Sequence, residues 1–297
     1  MIERLVIIGV GLIGGSFAAT LKARGRVGHV VGVGRSAANL EQARKLGLID
    51  SIAGVAEAVR GADFILLATP VGQMEAQFEA MAPHLDPAAV VTDGGSTKAD
   101  VIAAARRGLG ARVAQFIPAH PIAGSEKSGA SAAVADLFRG RRTVLTPIEE
   151  NTTSAVARVR AAWEACGAQV VEMRAAEHDA VLGITSHLPH VLAYALMHQV
   201  LTDPAQVLLL ENAGSGFRDF TRLAGGLPEM WRDILLSNRS ALLAAMDGFN
   251  ASVAELRAAI EHEDGALLDR IFSASRTQRD AWLERVDGGA NAPLGEE

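Results

Sequence analysis

The residues of this chain that could do chemistry fall in short, well-separated groups. The richest is Phe116-Ile117-Pro118-Ala119-His120-Pro121-Ile122-Ala123-Gly124-Ser125-Glu126-Lys127-Ser128-Gly129, a polar, glycine-rich loop with a histidine between two prolines. The prolines restrict the backbone, and an imidazole titrates near neutral pH, so His120 is a candidate general base in a stiffened loop. In Asp93-Gly94-Gly95-Ser96-Thr97-Lys98, which closes one apolar run and opens a helical one, Ser96 is read as a helix N-cap, a hydrogen bond to a substrate, or both. His187 and His190 in Ser186-His187-Leu188-Pro189-His190 stand at i and i+3, but no third ligand is similarly placed, so no metal site is expected. His29, His84, His178, His198 and His262 read as surface or packing residues and receive no role.

A second kind of chemistry is binding without a charged side chain. In Gly9-Val10-Gly11-Leu12-Ile13-Gly14 the first glycine permits a tight turn, the second lets a pyrophosphate approach the backbone, and the third lets helix and strand pack closely. The helix that follows presents free N–H groups and the positive end of its dipole, which favour an anion. Leu12 and Ile13 inside the turn, and Thr69 and Pro70 after the third strand-like run, are assigned to the same cofactor site. About 20 residues beyond the last glycine an Asp or Glu normally takes the ribose 2′-hydroxyl of NAD. Here the run ends Gly32-Val33-Gly34-Arg35-Ser36 with no carboxylate. Arg35 can pair with a 2′-phosphate and Ser36 can add a hydroxyl donor, so NADP is expected to be accepted as well as NAD.

These groups need a scaffold, and the apolar periodicity supplies one. Strand-like runs at Arg4–Gly9, His29–Gly34, Asp63–Ala68, Val90–Asp93, Val113–Ile117, Arg142–Leu145 and Gln169–Met173 are interleaved with helical stretches. That alternation predicts an α/β fold of Rossmann type, a doubly wound, mostly parallel sheet over residues 1–173. From residue 174 to 286 the pattern is alanine- and leucine-rich and helical throughout, at Ala176–Leu201, Pro204–Leu210, Met230–Ile260 and Ala266–Val286. Its apolar positions exceed what one face of a lone bundle needs, which points to a homodimer through an all-α second domain. Residues 287–297 read as a disordered tail.

Composition narrows the class of function. With 28 Lys plus Arg against 34 Asp plus Glu, the net charge of −6 opposes attraction to nucleic acid or anionic lipid. The apolar stretches Leu5–Gly15 and Phe64–Gly72 fall short of the roughly 20 residues of a membrane-spanning helix. The single cysteine, Cys166, suits a reducing cytoplasm and is read as a buried small residue.

Taken together, the Gly9–Gly14 turn, Thr92-Asp93-Gly94-Gly95-Ser96-Thr97-Lys98, His120-Pro121-Ile122-Ala123-Gly124-Ser125-Glu126-Lys127-Ser128-Gly129, Ser186-His187-Leu188-Pro189-His190 and Phe217-Arg218-Asp219-Phe220-Thr221-Arg222 with Trp231 resemble the prephenate and arogenate dehydrogenase family, in its order and over nearly the whole chain. The resemblance implies NAD(P)-dependent oxidative decarboxylation of prephenate or arogenate, giving 4-hydroxyphenylpyruvate or tyrosine. It implies His120 as the base on the ring hydroxyl, with Ser96 bridging that hydroxyl and the nicotinamide side. Arg222 would clamp a substrate carboxylate, and Asp219 would pair with Arg222 and Glu126 to gate the pocket. His190 would lie by the substrate with His187 supporting it, and Trp231 would line the pocket from a neighbouring subunit. Gly214-Ser215-Gly216 departs from the family, where glycine often runs throughout. The glycine turn and helical second domain alone would also fit a 3-hydroxyacid or 6-phosphogluconate type dehydrogenase, or a non-catalytic NAD(P)-sensing protein.

Overall fold

The computed structural model describes residues 1–125 and 127–287. Glu126 and the expected tail, apart from Asp287, lie outside the described residues.

The strands are β1 (Ile2–Ile8), β2 (Val27–Val33), β3 (Ser51–Ile52), β4 (Phe64–Leu67), β5 (Val90–Asp93), β6 (Phe116–Ile117), β7 (Ala119–Pro121), β8 (Arg142–Leu145) and β9 (Gln169–Glu172). The α-helices are α1 (Leu12–Ala23), α2 (Ala37–Lys45), α3 (Val55–Ala58), α4 (Met74–Met81), α5 (Ala99–Leu109), α6 (Thr153–Ala165) and α7 (Ala175–Leu182). They continue as α8 (Leu188–Thr202), α9 (Gln206–Glu211), α10 (Ser215–Thr221), α11 (Pro228–Ser237), α12 (Arg239–Glu261) and α13 (Gly265–Asp287).

Six strands form a parallel sheet in the order β3-β2-β1-β4-β5-β6. A strand covered on both faces is apolar at every position instead of alternating, and β1 shows why. Leu5 and Ile7 enter one core with Phe17 and Trp163, while Val6 and Ile8 enter the other with Phe78 and Phe116. The strand order reverses between β1 and β4, which opens the crevice where ligands of such sheets bind.

The sheet stops at β6, earlier than expected from the sequence. Pro118 has no N–H to continue the ladder. The chain shears there into a separate three-stranded sheet in which β7 pairs antiparallel with β8 and β8 parallel with β9. His120 therefore lies on a short strand, opposite Val144, and not in a loop.

After β9 every described element is helical. The expected Ala176–Leu201 helix is two helices, α7 and α8, joined by a π-helical turn at Gly183–His187. The expected Met230–Ile260 helix is broken between Ser237 and Arg239, where Asn238 ends α11. Ala175–Thr202 together is long and apolar enough, by length and composition, to cross a membrane, with a mean hydropathy of 1.3 in its most apolar window. It exceeds the two runs singled out from the sequence because the π turn joins two helices. Yet it carries His178, Asp179 and His187, all buried in hydrogen bonds to other elements of the protein.

The chain divides into two compact units, Met1–Leu242 and Leu243–Glu297. The first contains both sheets and α1 to α11, so α7 to α11 belong to the same unit as the sheets. The second contains the rest of α12 and α13, reversed through Glu263, which has a positive φ of 51°.

Candidate active site

The glycine turn has the backbone a pyrophosphate needs. Gly9 has a φ of 98°, and a Cβ there would lie 2.5 Å from the Ala68 carbonyl oxygen. A Cβ on Gly14 would lie 2.3 Å from the Gly9 carbonyl oxygen, so both positions exclude side chains for structural reasons. Gly11 differs, since a Cβ there would meet nothing within 4 Å. It faces open space and begins α1 with no side-chain cap, leaving the Leu12, Ile13 and Gly14 N–H groups without helical partners. Beside the turn, Thr69 Oγ1 is buried with no hydrogen-bond partner. An open glycine face, uncapped N–H donors and an orphaned hydroxyl fit a dinucleotide. Asn39 braces the turn, donating to the Val10 carbonyl at 2.7 Å and accepting from the Ala130 N–H at 2.8 Å; the sequence reading did not find it.

At the ribose end Arg35 and Ser36 are exposed. Ser36 accepts from the Asn39 N–H at 3.2 Å as the N-cap of α2, which leaves its own proton free to donate. Arg35, Arg44, Leu40 and Ser51 help line a cavity of about 520 Å³.

The segment after β5 is held by a buried ion pair. Asp93 and Lys98 are both fully buried and in contact. Lys98 Nζ also donates to the Ala119 carbonyl at 2.8 Å, and Asp93 accepts from the N–H groups of Ala119 and Gly95 at 2.8 and 2.9 Å. Burial pulls the ammonium below its ordinary value, against the opposing pull of Asp93 and Asp179. This pair replaces the ladder that Pro118 interrupts and fixes β7, hence His120, against β5. Ser96 is not the cap of the following helix, which corrects that half of its reading. The cap of α5 is Asp179, 81 residues away from Lys98 in sequence, which accepts from the Lys98 and Ala99 N–H groups at 2.8 Å each. The Ser96 hydroxyl makes no hydrogen bond among the described residues and is free for a ligand.

His120 meets His178, the residue left unassigned in the sequence. His178 is fully buried, and its Nε2 lies 2.9 Å from His120 Nδ1 while its Nδ1 lies 2.8 Å from Asp179 Oδ1. Burial, then the charges of His178, Lys98 and His187, lower the His120 pKa well below its ordinary value. His120 is therefore a neutral acceptor at physiological pH. Gly94 brings it to the glycine turn, because a Cβ at Gly94 would lie 2.9 Å from Ile13 Cγ2 and 3.8 Å from Pro121.

The π turn orients the other two histidines. His187 Nδ1 accepts from Asn238 at 3.0 Å, and its buried Nε2 has no partner. Burial lowers its pKa to about 4. His190 Nδ1 bonds the Ser186 carbonyl at 2.8 Å, and its ring stacks on Trp231 with centroids 3.5 Å apart.

Comparison with known proteins fits this geometry. Residues 17–172 match the prephenate dehydrogenase nucleotide-binding domain, and residues 174–274 the prephenate dehydrogenase dimerization domain. The chain is 37% identical to the cyclohexadienyl dehydrogenase of Zymomonas mobilis, over 93% of this chain and 95% of that one. The chain belongs to the prephenate dehydrogenase family. Among solved structures of the family, prephenate dehydrogenase of Aquifex aeolicus, in complex with hydroxyphenyl propionate and NAD+, superposes with a TM-score of 0.88 at 32% identity, covering 95% of this chain and 99% of that one. Arogenate dehydrogenase of Synechocystis gives a TM-score of 0.79 at 30% identity, covering 94% of this chain and 100% of that one.

Two of the remaining expected residues, Trp231 and Arg222, act on His190. Trp231 is buried against His190 of its own chain. The turn at Arg222–Gly225 folds α11 back toward α8, and Gly226 leaves room for the indole, since a Cβ there would lie 2.4 Å from Trp231 Nε1. Arg222 is exposed, and its charge helps lower the His190 pKa after the larger effect of burial. The expected Asp219–Arg222 ion pair is not formed among the described residues. The helix α10 ends at Thr221, and Arg222 begins a 3-10 turn, so the two are not on one continuous helix face. Its other expected member, Glu126, lies outside the described residues.

Proposed function

We propose that this chain catalyses the NAD(P)-dependent oxidative decarboxylation of prephenate or arogenate. The observation that carries the reading is a neutral imidazole, His120, set beside the glycine turn by the close approach of Gly94 to Ile13 and Pro121. Gly11, the N–H groups of Leu12 to Gly14, Thr69 and Pro70 would hold the dinucleotide, whose nicotinamide supplies the hydride acceptor. His120 Nε2 takes the proton of the ring 4-hydroxyl as hydride leaves the carbon that bears it. The bond to the ring carboxylate then breaks, carbon dioxide departs, and its electron pair completes the aromatic ring. Ser96 offers a hydroxyl to the same oxygen. The unpartnered Nε2–H of His187 offers a donor to a bound anion, His190, whose Nδ1–H goes to the Ser186 carbonyl, offers its Nε2 as an acceptor, and Arg222 offers a guanidinium fork to a carboxylate. Asp219 and Glu126 would complete the polar rim.

Arg35 and Ser36, with no carboxylate beside them, support acceptance of NADP alongside NAD. Residues 174–286 would serve as the substrate and dimerisation domain of a cytoplasmic homodimer. Its support is the row Val207, Leu208, Leu209 and Leu210, each between 42% and 65% exposed, more apolar surface than one turn of a solvated helix carries.

Initial rates with prephenate and with arogenate, each with NAD and NADP, test the reading. One substrate should yield reduced cofactor, and His120→Asn should lower kcat by about 10²-fold or more at unchanged cofactor affinity. Failure of both substrates removes the activity, and a strong preference for NAD removes the reading of Arg35.

A further inference from the structure

A general base must have its lone pair on the nitrogen that faces the substrate, and a neutral imidazole has two ways to place its one proton. In His120, Nδ1 is turned to His178, so the lone pair must reside on Nε2 for the ring to act on a ligand. Nothing in the motif around His120 dictates that choice.

The choice is made from α7. Asp179 accepts three N–H groups: those of Lys98 and Ala99 at 2.8 Å, and the Nδ1–H of His178 at 2.8 Å. Burial raises its pKa, but the hydrogen bonds from His178, Ala99 and Lys98 outweigh that, and the net direction is down. A carboxylate so placed keeps the His178 proton on Nδ1. The Nε2 of a neutral His178 is then bare and can only accept, and its partner at 2.9 Å, His120 Nδ1, must donate. The rings meet edge-on and not stacked, with centroids 5.1 Å apart and an interplanar angle of 67°.

We propose that His178, oriented by Asp179, is a positioning residue that holds His120 in its Nδ1–H tautomer and so keeps Nε2 free as the base. The inference rests on the reading of His120 as the base. The chain has a second consequence. When His120 takes a proton on Nε2, the imidazolium formed keeps its Nδ1–H directed at the His178 lone pair, and Asp179 stands behind it. The new charge is thus hydrogen-bonded inside the protein at the moment it appears.

The test has one arm that needs no substrate. In the full-length protein labelled with 15N-histidine, with and without NAD, the His120 nitrogens should report a protonated Nδ1 and a bare Nε2. A protonated Nε2 in the wild-type protein overturns the proposal. The second arm compares His178→Phe, which keeps ring volume but cannot accept a hydrogen bond, with His178→Gln, whose amide oxygen can. The Phe variant should lose roughly 10- to 100-fold in kcat, with KM and cofactor affinity within about twofold of wild type, and Gln should recover most of the loss. A Phe variant of near-normal kcat, or a folded Gln variant no better than Phe, overturns the proposal. Were the wild type to turn over neither prephenate nor arogenate, the functional reading would fail while the nitrogen signals still decided the tautomer.

Discussion

The two walls of the candidate site are built on opposite principles. The inner wall, made of Asp93, Lys98, His178, Asp179, His187 and Asn238, is buried, and nearly every polar atom in it is paired with another part of the same chain. The outer wall, α10 with Arg222, is exposed, and Arg222 and Asp219 have no ion-pair partner among the described residues. Groups that must act on a proton are fixed before a ligand arrives, because misplacing a base or its tautomer costs rate directly. Groups that need only recognise a carboxylate can wait in water, where their desolvation is offset by the ligand itself.

If that contrast is right, the inner wall should fail globally when broken. Lys98→Met preserves length but strands the Asp93 carboxylate without its cation, and removing one member of a buried pair costs about 3 to 5 kcal/mol. Urea unfolding should show a midpoint lowered accordingly, and a change below about 1 kcal/mol would make the buried pair incidental.

The same wall should be sensitive to acid. His187 has a pKa of about 4 when folded, against 6.5 for an ordinary histidine. Above pH 6.5 neither folded nor unfolded chain protonates it. As the pH falls from 6.5 to 4, the unfolded chain takes up a proton that the folded one refuses, so stability declines across that window. The full effect of His187 is on the order of 3 kcal/mol, and His120, lowered for the same reason, adds in the same direction. Unfolding free energies measured at steps through the window should fall less steeply for His187→Asn than for wild type, and parallel curves would count against a buried neutral imidazole.

The contrast also explains what could be read from the chain. The glycine turn was legible because its constraints are local, a positive φ at Gly9 and a carbonyl 2.3 Å from where a Cβ of Gly14 would stand. His120 was legible from its flanking prolines, but its strand was not, because β7 exists only through pairing with β8, 24 residues on at Val144. The N-cap half of the Ser96 reading fails because a local hydroxyl is the usual candidate, whereas Asp179 arrives from 81 residues away. His178 was passed over for a similar reason. Its one local signal was a His-Asp dipeptide inside an apolar helical run, which declares its importance only once α7 is packed against β7. The boundary at 173 marks the change from strand to helix correctly, yet the compact unit continues to Leu242. Periodicity reports the kind of element and says nothing about which neighbour it buries against.

The smallest expected effect belongs to the outer wall and separates recognition from structure. Arg222 is exposed and bonded to no carboxylate among the described residues, so Arg222→Gln should leave the unfolding midpoint unchanged. A carboxylate bound by a guanidinium fork loses a charge-assisted pair in the variant, worth about 1.5 to 3 kcal/mol, or roughly tenfold or more in KM. Because that carboxylate is the same in ground and transition states, kcat should hold. Steady-state kinetics on the preferred substrate checks both parameters at once. A fall in kcat at constant KM would mean that Arg222 acts only in the transition state and belongs with the inner wall. A lowered unfolding midpoint would mean that it has a structural partner, and either result would erase the distinction between a wall fixed in advance and one that waits for its ligand.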